Sequence, residues 1–519
     1  MVERSTSARR GPSALDEGHP HRWTILAVLC AALCVVVLDN TILSVAIPSV
    51  GAALRADETE LQWITAAYGL VLAALLLPLA GLGDRFGRKG LLLVGAALFG
   101  VASAAAAFAT TSGQLTVGRG LMGIGGAATM PATLAVLGNV FAAHERGRAI
   151  AIWSGASSIA GATGPVVGGL LLEHFWWGSV FLVNVPVTLA VFVAAVRFVP
   201  TSRDPAAPRI DVTGSLIWTG ALGLLLYAVI EGGEQGWTSP TVVAAGTTSA
   251  TLLLSFAWWE RRTPHPLLAP SAVADRRMQA GMVVVPAVFF AVFGLQFVFT
   301  QWLQGVQGLG PLATGLCFAP HAAAVFGGSL LSIRLARRMG AGRTAAAGLL
   351  VLAVALTAGA LLHGGVLAVA AAITLAGLGV GLATPPGVDL IMGSVPPERA
   401  GSAAGVNETI IEAGGALGIA VTGTLLATAA GGVGSIAPEL LGGPGGVAAR
   451  QQFTDALTLP LLVAAGVMVV AAVVVRWRTT GTPADGPTPT DGDAVGVSGA
   501  GVVVAESTAP VDAGDGRGA

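Results

Sequence analysis

The sequence predicts an all-α polytopic membrane protein with fourteen transmembrane helices, and three observations carry that prediction. Apolar runs recur along most of the 519-residue chain, which is 54% hydrophobic, only 11% charged, and has a mean hydropathy of +0.77. Ordinary soluble domains are about 25% charged, so this chain has too little polar surface to cover a globule of its size. The segment GLGDRFGRK at 81–89 wedges charge between AAYGLVLAALLLPLA and GLLLVGAALFGVASAAAAFA. Basic residues then recur in alternate gaps between the apolar runs, as they do in chains that cross a bilayer repeatedly.

A helix needs roughly 20 apolar residues to cross the hydrocarbon layer. Span 1, 23–48, follows a polar leader (1–22) carrying Arg4, Arg9, Arg10 and Arg22. Its apolar run is longer than a signal-peptide core and ends in no small-residue cleavage site. Spans 2 and 3, 60–80 and 90–110, flank the charged turn; spans 4, 5 and 6 follow at 115–139, 147–170 and 178–198. Spans 7 and 8 occupy 211–230 and 241–260, and spans 9, 10 and 11 occupy 279–301, 311–333 and 343–363. Span 12, 366–391, is rich in Gly and Pro; spans 13 and 14 close the series at 403–428 and 456–476. The gap 429–455 is long enough to hide a re-entrant piece, and the Pro-, Gly- and Asp-rich tail 479–519 has the composition of a disordered segment.

Arginine sets the orientation. Basic residues fall at 85, 88 and 89; 146 and 148; 197, 203 and 209; 261, 262, 276 and 277; 334, 337, 338 and 343; and 399. The opposite gaps hold only Arg55 and Arg450, while Arg476 and Arg478 follow the last span. This bias puts the basic loops and both termini in the cytoplasm of a bacterial cytoplasmic membrane. Net charge is −1, which gives no electrostatic case for nucleic-acid binding. Cys30, Cys34 and Cys317 all lie in apolar segments and suggest neither a disulfide framework nor a metal site. There is no Walker loop, no nucleophile–base constellation and no cofactor motif, so the reading is not an enzyme.

Ionisable groups inside the spans narrow the function, because each costs about 2.5–3.5 kcal/mol at mid-membrane and therefore faces water or a partner. Asp39 lies deep in span 1, beside Asn40 and Thr41. It is either a cavity carboxylate that senses protons or substrate, or a polar clamp to a neighbouring helix. Arg119 lies near the start of span 4, ahead of Gly120, Gly123, Gly125 and Gly126, small residues that let backbones approach closely. It either answers a carboxylate in coupling or anchors at the interface by snorkelling. Pro165 removes a backbone donor in span 5 and predicts a kink, with Gly161, Gly164, Gly168 and Gly169 smoothing one face. Glu408 and Glu412 share one face of span 13 at i,i+4 spacing. Lining the cavity, they would offer protonatable sites that attract organic cations; at the cytoplasmic margin they would be solvated surface. Asp389 and Glu231 sit at span edges. Tyr68, Phe293 and Gln296, with Trp63, Trp302, Gln301, Gln304 and Gln307, could supply cavity or gate contacts.

Taken together, these residues resemble the major facilitator superfamily, specifically its fourteen-span drug:proton antiporters. The family's loop Gly-x-Leu-Ala-Asp-Arg-x-Gly-Arg-Arg is matched here by Leu82, Asp84, Arg85, Gly87 and Arg88, with Lys89 conservative and Ala80 in place of the leading glycine. Its Leu-Asp-x-Thr-Ile is LDNTI with Asp39 and Thr41, and its Arg-x-x-x-Gly is Arg119 and Gly123. The antiporter signature Gly-x-x-x-Gly-Pro-x-x-Gly-Gly is met at Gly164, Pro165, Gly168 and Gly169, with Ala160 at its first position. Relatives often read Asn-Asn-Thr-Leu-Arg-Gln in span 13, where this chain reads Asn-Glu-Thr-Ile-Ile-Glu at 407–412. An arginine is lost there and two acids gained, a lean toward cationic substrates.

The resemblance implies two six-helix bundles, at 23–198 and 279–478, with spans 7 and 8 and their flanking loops (199–278) inserted between them. It implies a latch at Asp84, Arg85, Gly87 and Arg88, and a hinge at the Gly164–Gly169 signature. It also implies proton-coupled export of drugs, antibiotics or related amphipathic molecules by rocking about a midplane site, by a single chain without cofactor or metal. Asp39 would carry proton or substrate charge, Arg119 would couple, and Glu408 or Glu412 would serve as an accessory acid. Proton-coupled uptake or exchange of a small metabolite is the alternative, and a non-transporting membrane sensor a more distant one.

Overall fold

The computed structural model describes residues 19–202, 211–263, 274–361, 365–395, 400–430 and 446–480, and among these the regular structure is helical. The first six spans are α1 (Arg22–Leu54), α2 (Glu58–Phe86), α3 (Arg88–Ala107), α4 (Ser112–Val140), α5 (Ala143–His174) and α6 (Ser179–Leu182 continuing as Asn184–Phe198). Next come α7 (Val212–Gln235) and α8 (Pro240–Glu260). The last six are α9 (Arg276–Gln301), α10 (Pro311–Met339), α11 (Ala341–Leu361), α12 (Val366–Met392), α13 (Ala400–Ala429) and α14 (Thr458–Arg478). Thirteen of these are continuous helices long and apolar enough to cross a membrane, and the bent α5 makes fourteen.

Local chemistry explains where the helices begin and bend. Asp57 caps α2 in a reciprocal box: its carboxylate accepts from Glu60 N–H at 2.8 Å, and Glu60 accepts from Asp57 N–H at 3.0 Å. Thr111 caps α4 by accepting from Gln114 N–H at 3.2 Å. In α5 the ring of Pro165 opposes the carbonyl four residues earlier, Gly161, and offers no N–H to it. The helix bends there by 42° between Arg148–Gly161 and Thr163–His174.

Two boundaries differ from the sequence reading. The charged turn expected at 81–89 is mostly helix: α2 runs through Asp84 and Arg85 to Phe86, and α3 starts at Arg88. Gly87 alone breaks the helix, at φ 127°, a conformation open to glycine and rarely taken by other residues. Charge had marked the membrane boundary, and helices continue past that boundary. The gap 429–455 contains a helix, Gly446–Ala456, preceded by residues outside those described. The leader 1–18 and the tail beyond 480 also lie outside the described residues.

The helices pack in a repeated pattern. In the first six, α1 meets α4, α5 and α6; α2 meets α4; and α3 meets α4 and α6. In the last six, α9 meets α12, α13 and α14; α10 meets α12; and α11 meets α12 and α14. Adding eight to each helix number of the first set gives the second, so α7 and α8 stand outside the repeat. The halves join along two matching seams, α2 on α13 and α5 on α10. The inserted pair packs on itself, with Ser249 donating to the Ala221 carbonyl at 2.8 Å, and α7 lies over the α2–α13 seam. Glycine permits the close approaches. A Cβ at Gly169 would stand 2.6 Å from Leu312 Cα, and one at Gly315 would stand 2.8 Å from the Pro165 carbonyl carbon.

Candidate functional site: a buried ion pair and two seam acids

Among the described residues, one ion pair of the first six helices is fully buried. Asp39 of α1 is 1% exposed and Arg119 of α4 is fully buried, and the two are joined through Arg119 Nη1 and Asp39 Oδ2. Neither side chain is free to swing. The second oxygen of Asp39 accepts from Asn184 Nδ2 of α6 at 2.7 Å, and the same amide faces Ser103 Oγ at 3.4 Å. Arg119 Nε donates to the Ile64 carbonyl at 3.3 Å, and its guanidinium carbon lies 4.4 Å from the centre of the Tyr68 ring. Tyr68 is itself fixed by donating to the Val36 carbonyl at 3.1 Å. Arg119 Nη2 is buried without a hydrogen-bond partner. Three helices thus meet at one carboxylate, its own α1 with α4 and α6, while α2 and α3 hold its partners, and in this conformation the pair acts as a clamp.

The physical consequence is that the pair depends on both of its charges. An ion pair withdrawn from water keeps its energy only while both partners are charged and well hydrogen-bonded; losing one charge strands the other. Protonating Asp39 would remove the counter-charge of a fully buried guanidinium, so the arrangement around Arg119 must change with it.

Across the α2–α13 seam stand the acids of α13. Glu412 is 8% exposed, and its Oε2 has no hydrogen-bond partner. It lies against Gly69 of α2, where a Cβ would come 3.2 Å from Glu412 Oε2, and within electrostatic range of Arg119. Glu408, one turn away, is half-buried. Asn407 is buried with its Oδ1 unpartnered.

The other expected residues fall in different places. Thr41 bonds back to the carbonyls of Val37 and Leu38, at 3.3 and 3.1 Å, and packs on Gly164, where a Cβ would approach Thr41 Cβ to 2.7 Å. Gly168 packs on Ile42 of α1, so one face of the glycine signature seats α1 while Pro165 and Gly169 meet α10. Phe293 is half-buried, 6.0 Å from Phe289 and close to Gly415, and Gln296 is half-buried. Arg85 is exposed, with its guanidinium carbon 5.6 Å from the Phe86 ring centre. Arg88 donates to the Ala135 carbonyl at 3.4 Å, while the Asp84 side chain lies outside the described residues. Among the described residues no group of three His, Cys, Asp or Glu side chains could hold a metal.

Sequence reasoning missed Asn184, Gln62 and Glu58. Asn184, in FLVNVP, is a lone amide in an apolar run, and its polarity inside span 6 was the available signal. Gln62 and Glu58 were hidden at the margin of span 2.

Comparison with known proteins agrees with this architecture. Residues 29–419 match the Major Facilitator Superfamily. The chain is 36% identical over 411 residues to the multidrug resistance protein Stp of Mycobacterium tuberculosis, covering 78% of this chain and 76% of that one. It is 34% identical to the multidrug efflux pump LfrA of Mycolicibacterium smegmatis, with 82% and 83% covered. It is 33% identical to the methyl viologen resistance protein SmvA of Salmonella typhimurium, with 78% and 82% covered. A crystal structure of a bacterial homolog of the human lysosomal transporter Spinster, inward-facing and unoccupied, superposes with a TM-score of 0.64 at 18% identity, covering 88% of this chain and 97% of that one. Helix order, repeat and relatives converge: the chain belongs to the Major Facilitator Superfamily, as a many-span transporter of its multidrug-resistance type.

Proposed function

We propose that this chain is a proton-coupled antiporter that exports amphipathic, preferentially cationic, small molecules across the bacterial cytoplasmic membrane, acting as a single chain with both termini in the cytoplasm. The observation that carries the reading is the buried Asp39–Arg119 pair, held by Asn184 inside the first six helices. Relatives named for resistance to several drugs and to methyl viologen, a dication, support the substrate class. The acids Glu408 and Glu412, on the opposite side of the α2–α13 seam, suit a cationic ligand.

In the cycle we propose, the ion pair is intact while the cavity opens to the cytoplasm and receives the drug. After reorientation a proton from outside neutralises Asp39 and releases Arg119 from it, and the drug leaves outward. Return and deprotonation toward the cytoplasm restore the pair. The arginine bias supports this orientation. Among the described residues, three hydrogen bonds join the halves at the other end, which favours an outward-closed state: Gln301 with Glu58, Gln304 with the Val45 carbonyl, and Thr424 with Gln62. Arg85, Gly87, Arg88 and Asp84 lie at the opposite end and would latch it when it closes.

The test uses everted vesicles given an inside-acid gradient and a fluorescent lipophilic cation. Wild type should accumulate the dye, and Asp39→Asn should insert normally yet lose gradient-driven accumulation. Unchanged accumulation by the variant would refute the assignment.

A further inference from the structure

We propose that Glu58 is a second proton-binding site, separate from Asp39, and that its protonation lets the outer seam close. The orientation of this inference rests on the functional reading above. Glu58 opens α2, immediately after the Asp57 cap, and is 2% exposed where α2 meets the end of α9. Its Oε1 accepts from Gln301 Nε2 of α9 at 3.2 Å, a bond between the two halves. Its Oε2 is buried with no partner.

The charges around it do not balance an anion. On its own helix, Asp57 is an acid that adds repulsion, and Glu60 is occupied by Asp57 N–H and Ser112 Oγ. From α9 it meets Gln301, a neutral amide. Arg119 of α4 is committed to Asp39, Glu231 of α7 bonds Trp63 and Gln235, and Arg55, Arg450 and Asp455 are exposed. Among the described residues no Lys, Arg or His forms an ion pair with Glu58. The start of α2 presents a helix-dipole attraction for negative charge, but that is small beside the cost of dehydrating an unpaired carboxylate. A neutral acid is far cheaper to seal in.

Closing the seam therefore takes up a proton at Glu58, and opening it to water releases the proton. Because the site faces the outer end, acid outside drives the return from outward-open to inward-open, the step in which an exporter must be driven by external protons. No bond other than the carboxyl O–H forms or breaks.

The experiment uses the full chain in proteoliposomes, with Cys30, Cys34 and Cys317 replaced by Ala and spin labels at the exposed positions Ala53 and Gln307, one in each half. Pulsed electron resonance reads the open-to-closed ratio while pH is varied on each membrane face separately. One linked proton changes that ratio by up to tenfold per pH unit. Wild type should close as pH falls on the face opposite the arginine-rich loops. Glu58→Gln should stay closed, changing less than about twofold per unit across that range. Gln301→Leu should keep the pH response with a displaced midpoint, which separates titration from mere seam packing. If Glu58→Gln does not insert, Glu58→Asp decides: an acid too short for Gln301 must still respond to pH, with opening favoured. Asp39→Asn should lose antiport and shift the midpoint, yet a pH response that Glu58→Gln removes must remain in that background, so loss of antiport and loss of the gate are read apart. The proposal is overturned if Glu58→Gln titrates like wild type, if the response follows pH on the arginine-rich face, or if Asp39→Asn abolishes it.

Discussion

Asp39 shows how much one side chain in a membrane helix can and cannot reveal. Its depth in span 1 marked it as costly, and the structure joins it to Arg119, a residue 80 positions away in the chain. No spacing rule predicts that meeting, because α1 and α4 are brought together by packing. The polarity of Asn184 inside span 6 is visible in the sequence, but its partner is not, for the same reason: it donates to Asp39 and helps fix its orientation. Replacing Asn184 with Ala leaves Asp39 Oδ1 short of a donor, and an unmatched buried polar group costs about 1–3 kcal/mol. The expected outcome is a measurable fall in melting temperature in detergent with membrane insertion intact. Tyr68→Phe is the milder change. It deletes the hydroxyl bond to Val36 and keeps the ring against Arg119, so about 0.5–1.5 kcal/mol should be lost and transport retained. Thermal-shift and vesicle assays on the pair separate an orienting donor from a packing ring.

At the scale of the element, the glycine signature in α5 has a geometric account. Pro165 accounts for the 42° bend, Gly164 and Gly168 let α1 approach, and Gly169 lets α10 approach. Composition predicted the kink and the smooth face; it did not predict that the face is shared between two partners in different halves. Gly164→Val should drive methyls into Thr41 and Ile42, costing on the order of 1–3 kcal/mol by overpacking and disabling transport. Gly315→Ala, on the facing helix, should weaken the α5–α10 seam at Pro165 and raise the outward-open fraction. Cross-linking of cysteines placed across that seam would read the change. The same scale holds the clearest misreading. The run of charge at 81–89 predicts a gap between spans, whereas the helices pass through it and only Gly87 interrupts them.

For the whole molecule, span number was legible because uninterrupted apolar length and charge placement are both linear in sequence. The packing was not. The repeat of helix contacts at an offset of eight, and the placement of α7 over the α2–α13 seam, depend on pairings among distant segments. With every half-to-half hydrogen bond noted above at one end, the molecule has a closed face, and the arginine bias predicts that this face is external. A cysteine at Arg85 should accordingly resist a membrane-impermeant maleimide in intact cells and react in everted vesicles. The most direct measurement of the central claim is proton release. Adding a lipophilic cation to everted vesicles loaded with protons should discharge the gradient in wild type and leave it standing in Asp39→Asn. Equal discharge by both would contradict a coupling role for the buried carboxylate.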